Sequence, residues 1–125
     1  MLSVKGEVVH GFGRGSKLLG FPTANLSLNF YDSFFSSLPE GIYYGYAYLK
    51  NIKYKSVMSI GLNPTFNTKE KTFEVYLIGY SEDDFYGEEL EVTIVDFIRE
   101  SKKCRDIEEL KEWIRRDVEI AIAKL

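Results

Sequence analysis

In several stretches before Arg99 apolar residues alternate one in two, and near Asp106 the period changes once, to three and four. That single switch constrains the fold more than any other feature, because alternation suits a strand with one buried face and the longer period suits a helix packed on one side. Val4–His10 reads as a first strand. In Gly41–Lys50, Ile42, Tyr44, Tyr46 and Tyr48 fall on one face and Tyr43, Ala47 and Leu49 on the other, with Gly45 between them. A turn at Lys50–Lys53 leads to another strand, Tyr54–Ile60, as a hairpin. Phe73–Tyr80 sets Phe73, Val75 and Leu77 opposite Glu74, Tyr76 and Ile78, and Leu90–Ile98 sets Leu90, Val92 and Ile94 against Glu91, Thr93 and Val95. After a basic turn, Arg99–Arg105, Asp106 and Glu109 have the spacing of a helix N-cap and its capping-box partner. Ile107, Leu110, Ile114, Val118, Ala121 and Leu125 then form an apolar stripe, and Trp113 beside it reads as a core anchor. The pattern predicts an all-β domain with one C-terminal helical cap; closure into a barrel is not contained in it.

At 125 residues the chain is long enough for one core and too short for two domains. A net charge of −3, without interleaved basic and aromatic residues, argues against a nucleic-acid surface, so any phosphate binding must be local. No apolar run nears the roughly 20 residues of a membrane span, and the first residues lack the apolar centre of a signal peptide. Cys104 is the only cysteine, which excludes an internal disulfide and makes a reducing compartment the expectation. With His10 as the only histidine, Cys104 is read as structural or incidental. Leu26–Pro39 and Thr65–Lys71 are read as connections, the second polar enough to move. Glu82–Glu89 holds five acidic residues and reads as a solvated turn in preference to a metal site.

Two features carry chemistry. The first is Gly11–Asn25, GFGRGSKLLGFPTAN, whose glycines would let a ligand approach the backbone closely. It has the make-up of a phosphate cradle: backbone donors, charge from Arg14 and Lys17, and oxygens on Thr23 and Asn25 for a hard cation. Pro22 stiffens its exit. A P-loop would need Lys and then Ser or Thr after its last glycine, where Phe21 and Pro22 stand, and a GxGxxG loop would need glycine in place of Ser16. Spacing alone leaves a phosphate loop and a plain glycine-rich turn both open. The second feature is Glu74, a carboxylate among Phe73, Val75, Tyr76 and Leu77, placed either at a wet rim or in a partly buried site with a purpose.

GFGRGSKLLGFPTAN, followed in order by SIGLNPTF, FEVYL and DFYGEEL, resembles the riboflavin kinases over nearly the whole chain, from Gly6 to the last helix. The resemblance implies a mainly β fold, a six-stranded antiparallel Greek-key barrel with the C-terminal helix packed outside, as a single domain over residues 1–125. It implies transfer of the γ-phosphate of ATP to the ribityl 5′-hydroxyl of riboflavin, giving FMN and ADP. It places ATP on Gly11, Gly13, Arg14, Gly15, Lys17, Gly20, Thr23 and Asn25, and Mg²⁺ (or another divalent cation such as Zn²⁺ or Mn²⁺) on Thr23 and Asn25. Glu74 becomes the general base, and the flavin lies against Glu74, Arg99, Lys102 and Cys104. Here the chain reads ESKKC after Arg99, where relatives commonly carry proline next to the arginine and an aromatic at the Cys104 position. Some bacterial relatives add an adenylyltransferase domain, for which these residues leave no room, so the product expected is FMN and not FAD. A cytoplasmic monomer without nucleic-acid or membrane partners is the expectation. A non-catalytic flavin or nucleotide module of the same fold is the alternative, and intact Thr23, Asn25 and Glu74 weigh against it.

Overall fold

The computed structural model describes residues 2–9, 24–27, 39–62, 71–80, 88–100 and 105–125. They form six strands, β1 (Leu2–Val9), β2 (Ala24–Ser27), β3 (Gly41–Leu49), β4 (Ile52–Leu62), β5 (Lys71–Leu77) and β6 (Glu89–Arg99), and one helix, α1 (Ile107–Lys124). The strands close into a barrel in the order β1-β2-β5-β4-β3-β6, with every neighbouring pair antiparallel. β3, β4 and β5 are consecutive neighbours and β6 returns to lie beside β3, which is the Greek-key connection. Alternation located five of the strands. β2, only four residues long, shows no period of its own and is held by its pairing with β1 and β5.

Alternation also set the faces correctly. Phe73, Val75 and Leu77 of β5 point inward with Leu90, Val92 and Ile94 of β6, Met58 and Ile60 of β4, and Tyr43, Ala47 and Leu49 of β3. Tyr43, at one end of this core, donates its hydroxyl to the Pro39 carbonyl at 2.6 Å. The β3–β4 turn is tighter than the Lys50–Lys53 expected, because Leu49 still pairs with Ile52. Its two residues, Lys50 and Asn51, have φ of 50° and 66°, the left-handed pair that a two-residue hairpin requires.

β6 departs from alternation at two bulges. Its register against β3 slips at Ile98 and again at Val95, so Ile98, inward by strict alternation, joins Val95 in one outward apolar patch. Gly45 lies beside the second slip, where a Cβ would stand 1.9 Å from the Thr93 carbonyl oxygen, and only glycine lets the two backbones approach so closely.

The outward patch is what α1 covers. Val118, Ala121 and Leu125 pack on Tyr44, Val57, Ile42, Ile78, Val95 and Ile98. Asp106 caps the helix, its carboxylate accepting from the Glu109 N–H at 2.8 Å, an interaction of about 1 kcal/mol. The Glu109 carboxylate takes Arg105 Nε at 2.7 Å, so the return half of the expected capping box is replaced by an ion pair. Two other expectations need correction. Ile107 belongs to the stripe by spacing yet is 54% exposed, because the helix meets the sheet only beyond its first turn. Trp113 is half-buried and belongs to neither apolar cluster of the described residues, and Arg99 and Arg116 each lie 5.1 Å from its ring centre. Among the described residues no helix is long and apolar enough to cross a membrane.

Candidate active site

Glu74 faces out from the barrel on β5, two and four residues before Tyr76 and Ile78 on the same face. Ile78 is part of the patch under α1, so the carboxylate lies on the helix-bearing side of the barrel. The strand pairings run through it in one continuous line. Asn25 of β2 pairs with Glu74, Glu74 with Ser59 of β4, Ser59 with Ile42 of β3, and Ile42 with Arg99 of β6. Neighbouring strands lie about 4.8 Å apart, so this row carries the chain from Glu74 to Arg99 in about 14 Å along the curved sheet.

Glu74 is half-buried, and loss of hydration pushes its carboxyl above the usual carboxylate range. Among the described residues none forms a hydrogen bond or ion pair with it. Burial also raises the Tyr76 phenol. Ser59, half-buried on β4, is the cross-strand neighbour of Glu74, at the separation of about 5 Å usual for facing Cβ atoms. The site therefore offers a partly desolvated carboxylate without a side-chain partner among the described residues, next to a hydroxyl.

Arg99 closes the other end of the row, and its guanidinium is already engaged. Nε and Nη2 donate to Asp117 Oδ1 and Oδ2 at 2.9 and 2.8 Å, and Nη1 donates to the Glu100 carbonyl at 3.1 Å. Asp117 is 2% exposed. Sequence reasoning gave Asp117 no role, although a signal existed: it follows Ile114 by three residues and precedes Ala121 by four, so a carboxylate falls on the apolar stripe. Ser59 had no such signal, since facing Glu74 depends on register. Gly11, Gly13, Arg14, Gly15, Lys17, Gly20, Thr23, Lys102 and Cys104 lie outside the described residues, as do His10 and most of the Thr65–Lys71 and Glu82–Glu89 stretches. Asn25 is described through its backbone.

The riboflavin kinase family model (Flavokinase) matches residues 1–125. The chain belongs to the riboflavin kinase family. It is 42% identical over 122 residues to riboflavin kinase of Mus musculus and 41% identical over 122 residues to that of Homo sapiens, in each case across 97% of this chain and 79% of the relative. It is 49% identical over 119 residues to a bifunctional riboflavin kinase/FMN phosphatase of Arabidopsis thaliana, covering 94% of this chain and 31% of that protein. The chain thus spans under a third of that first relative and about four-fifths of the mammalian ones. Among solved structures, riboflavin kinase from Trypanosoma brucei superposes with a TM-score of 0.74 at 25% identity, over 98% of this chain and 76% of that one. A Streptococcus pneumoniae structure described as a macrolide-efflux protein superposes with a TM-score of 0.78 at 32% identity, over 96% of this chain and 38% of that one. The riboflavin kinase barrel expected from the resemblance is the barrel found.

Proposed function

We propose that this chain, as a single domain over residues 1–125, transfers the γ-phosphate of ATP to the ribityl 5′-hydroxyl of riboflavin. The observation that carries the reading is the half-buried Glu74 carboxylate in register with Asn25, in a chain matched along its length by the riboflavin kinase family. Phosphoryl transfer to an alcohol asks for a phosphate site, a positioned hydroxyl and a proton acceptor. Gly11, Gly13, Arg14, Gly15, Lys17 and Gly20 would take the nucleotide. Glu74, desolvated and so more basic than an exposed glutamate, orients the 5′-hydroxyl. It accepts the proton as the oxygen bonds to the γ-phosphorus and the bond to ADP breaks. An alcohol is too weak an acid for a carboxylate to ionise beforehand, so the proton moves late.

Thr23 and Asn25 would hold a divalent cation, Mg²⁺ first and Zn²⁺ or Mn²⁺ as alternatives. A hydroxyl and an amide oxygen suit a hard ion, and among the described residues no cluster of three or more His, Cys, Asp or Glu competes for it. When bound, the ion would supply neutralisation of charge on the phosphate oxygens. Thr23 and Asn25, two neutral ligands, would hold such an ion weakly by themselves, so they would need the nucleotide's phosphate oxygens to complete the site. Arg99, Lys102 and Cys104 belong to the flavin side, Arg99 through its place at the end of β6, since its charge is matched by Asp117. A cytoplasmic monomer without nucleic-acid or membrane partners completes the reading.

The test is to incubate the purified chain with riboflavin, ATP and Mg²⁺ and separate the flavins by chromatography. FMN is expected only with both ATP and metal present. Absence of FMN while riboflavin still binds would sink the catalytic assignment.

A further inference from the structure

Asp117 is a buried charged group that phosphoryl transfer as described leaves unused. It is 2% exposed at the margin of an apolar contact, and both carboxylate oxygens take N–H groups from Arg99. Such a pair is a poor route to stability. Removing two charges from water costs roughly what their attraction returns, and apolar residues of similar volume do as well or better. What the pair supplies is direction. Val118, Ala121 and Leu125 lie on Tyr44 and Val57 through contacts that tolerate sliding, whereas a guanidinium fork on a carboxylate has one favoured geometry.

The pair ties three things together at one point: the rotation of α1, the last residue of β6, and the chain just beyond it, through the Arg99 bond to the Glu100 carbonyl. The other end of the β6–α1 connection is tied to the same helix, by the Asp106 cap and the Arg105–Glu109 pair. Arg99 also ends the row that contains Glu74, three strands away and opposite Asn25.

We propose that Asp117 is a positioning residue for the flavin side of the reaction: through Arg99 it holds the end of β6, up to Glu100, at a fixed distance from Glu74. The proposal rests on the phosphotransferase reading. It separates the two substrates, because the nucleotide is assigned to the opposite end of the row.

The decisive variant is the apolar pair Arg99→Met with Asp117→Leu, in which leucine repeats the branched outline of aspartate and direction is removed. Its melting temperature should equal or exceed that of wild type. Its KM for riboflavin should rise roughly ten- to a hundredfold, while KM for ATP stays within about twofold, as expected for a misplaced acceptor. Arg99→Lys, which keeps the charge and loses the fork, should change riboflavin KM in the same direction and serves as the second variant. Unchanged KM for both substrates, or an equal rise in both, would overturn the proposal and leave the pair a structural tie. Wild-type protein that makes no FMN in the same assay removes the underlying reading, and this proposal with it; active wild type with unmoved riboflavin KM in the variants removes this proposal alone.

Discussion

In the phosphotransferase reading, Glu74 couples function to stability through one physical cause. Its carboxyl is raised by burial alone, with no partner among the described residues to favour the charged form. Replacing it with glutamine should lower kcat about 10²- to 10⁴-fold, the usual contribution of a positioned general base, with the fold retained. Wild-type turnover in that variant would remove Glu74 from the chemistry. The same substitution has a pH-dependent effect on stability. A carboxyl with a folded pKa above its unfolded value, about 4.3 for glutamate, contributes stability that is full below the unfolded value and lost as pH rises through the folded one. At pH 7 the unliganded wild type therefore carries the cost of a desolvated charge. Glu74→Gln should melt higher there by a few degrees, and the gap should close as pH falls toward about 4. Melting lower than wild type at neutral pH would mean that the carboxylate has a stabilising partner. Glu74 was legible in the sequence because a carboxylate in an apolar alternating run is an anomaly. Asp117 was legible on the same grounds, as an acid on a helical stripe. Ser59 was not, because nothing local distinguishes a serine beside the site from one elsewhere on an outer face.

At the scale of elements, the departures from periodicity do the positioning. β2 is too short to announce itself, and its pairing with β1 and β5 brings Asn25 to Glu74. The slips at Val95 and Ile98 turn two residues of β6 toward α1 where strict alternation offers one, and Arg99 follows directly after them. Such bulges leave little trace in a sequence, since an extra residue in one strand is defined only against its partner. The glycine beside them is a clearer sign in retrospect. Gly45→Ala would drive a methyl into the Thr93 carbonyl, so β3 and β6 must separate at the turn of the barrel. The expected loss is at least the 1–3 kcal/mol of an overpacked core, read as a lower urea midpoint. Because Arg99 lies on the same strand, riboflavin turnover should fall along with stability. A variant as stable as wild type would mean that the bulge relaxes without disturbing the ladder.

For the whole molecule, barrel closure is the step that makes a site. The row Asn25, Glu74, Ser59, Ile42 and Arg99 takes its members from five strands in an order unrelated to the sequence, so no window of the chain contains it. Alternation and the period switch conveyed the fold class and the faces; the resemblance conveyed closure; the row depends on strand register, which no local pattern sets. In the phosphotransferase reading this row would order the two substrates along one line, nucleotide and metal beyond Asn25, flavin toward Arg99. A ligand that binds only the folded state stabilises it by about 2.7 kcal/mol at a hundredfold excess over Kd. For a domain of 125 residues that is a rise of several degrees in Tm. ATP with Mg²⁺ should therefore raise Tm well above ATP with chelator, and riboflavin should add its own increment. In Asn25→Ala the metal-dependent part of the ATP shift should disappear while the riboflavin increment persists, since the flavin side of the row is intact. A full metal-dependent shift in that variant would take Asn25 out of the metal site, and loss of both increments together would mean that the two ends of the row act as one site.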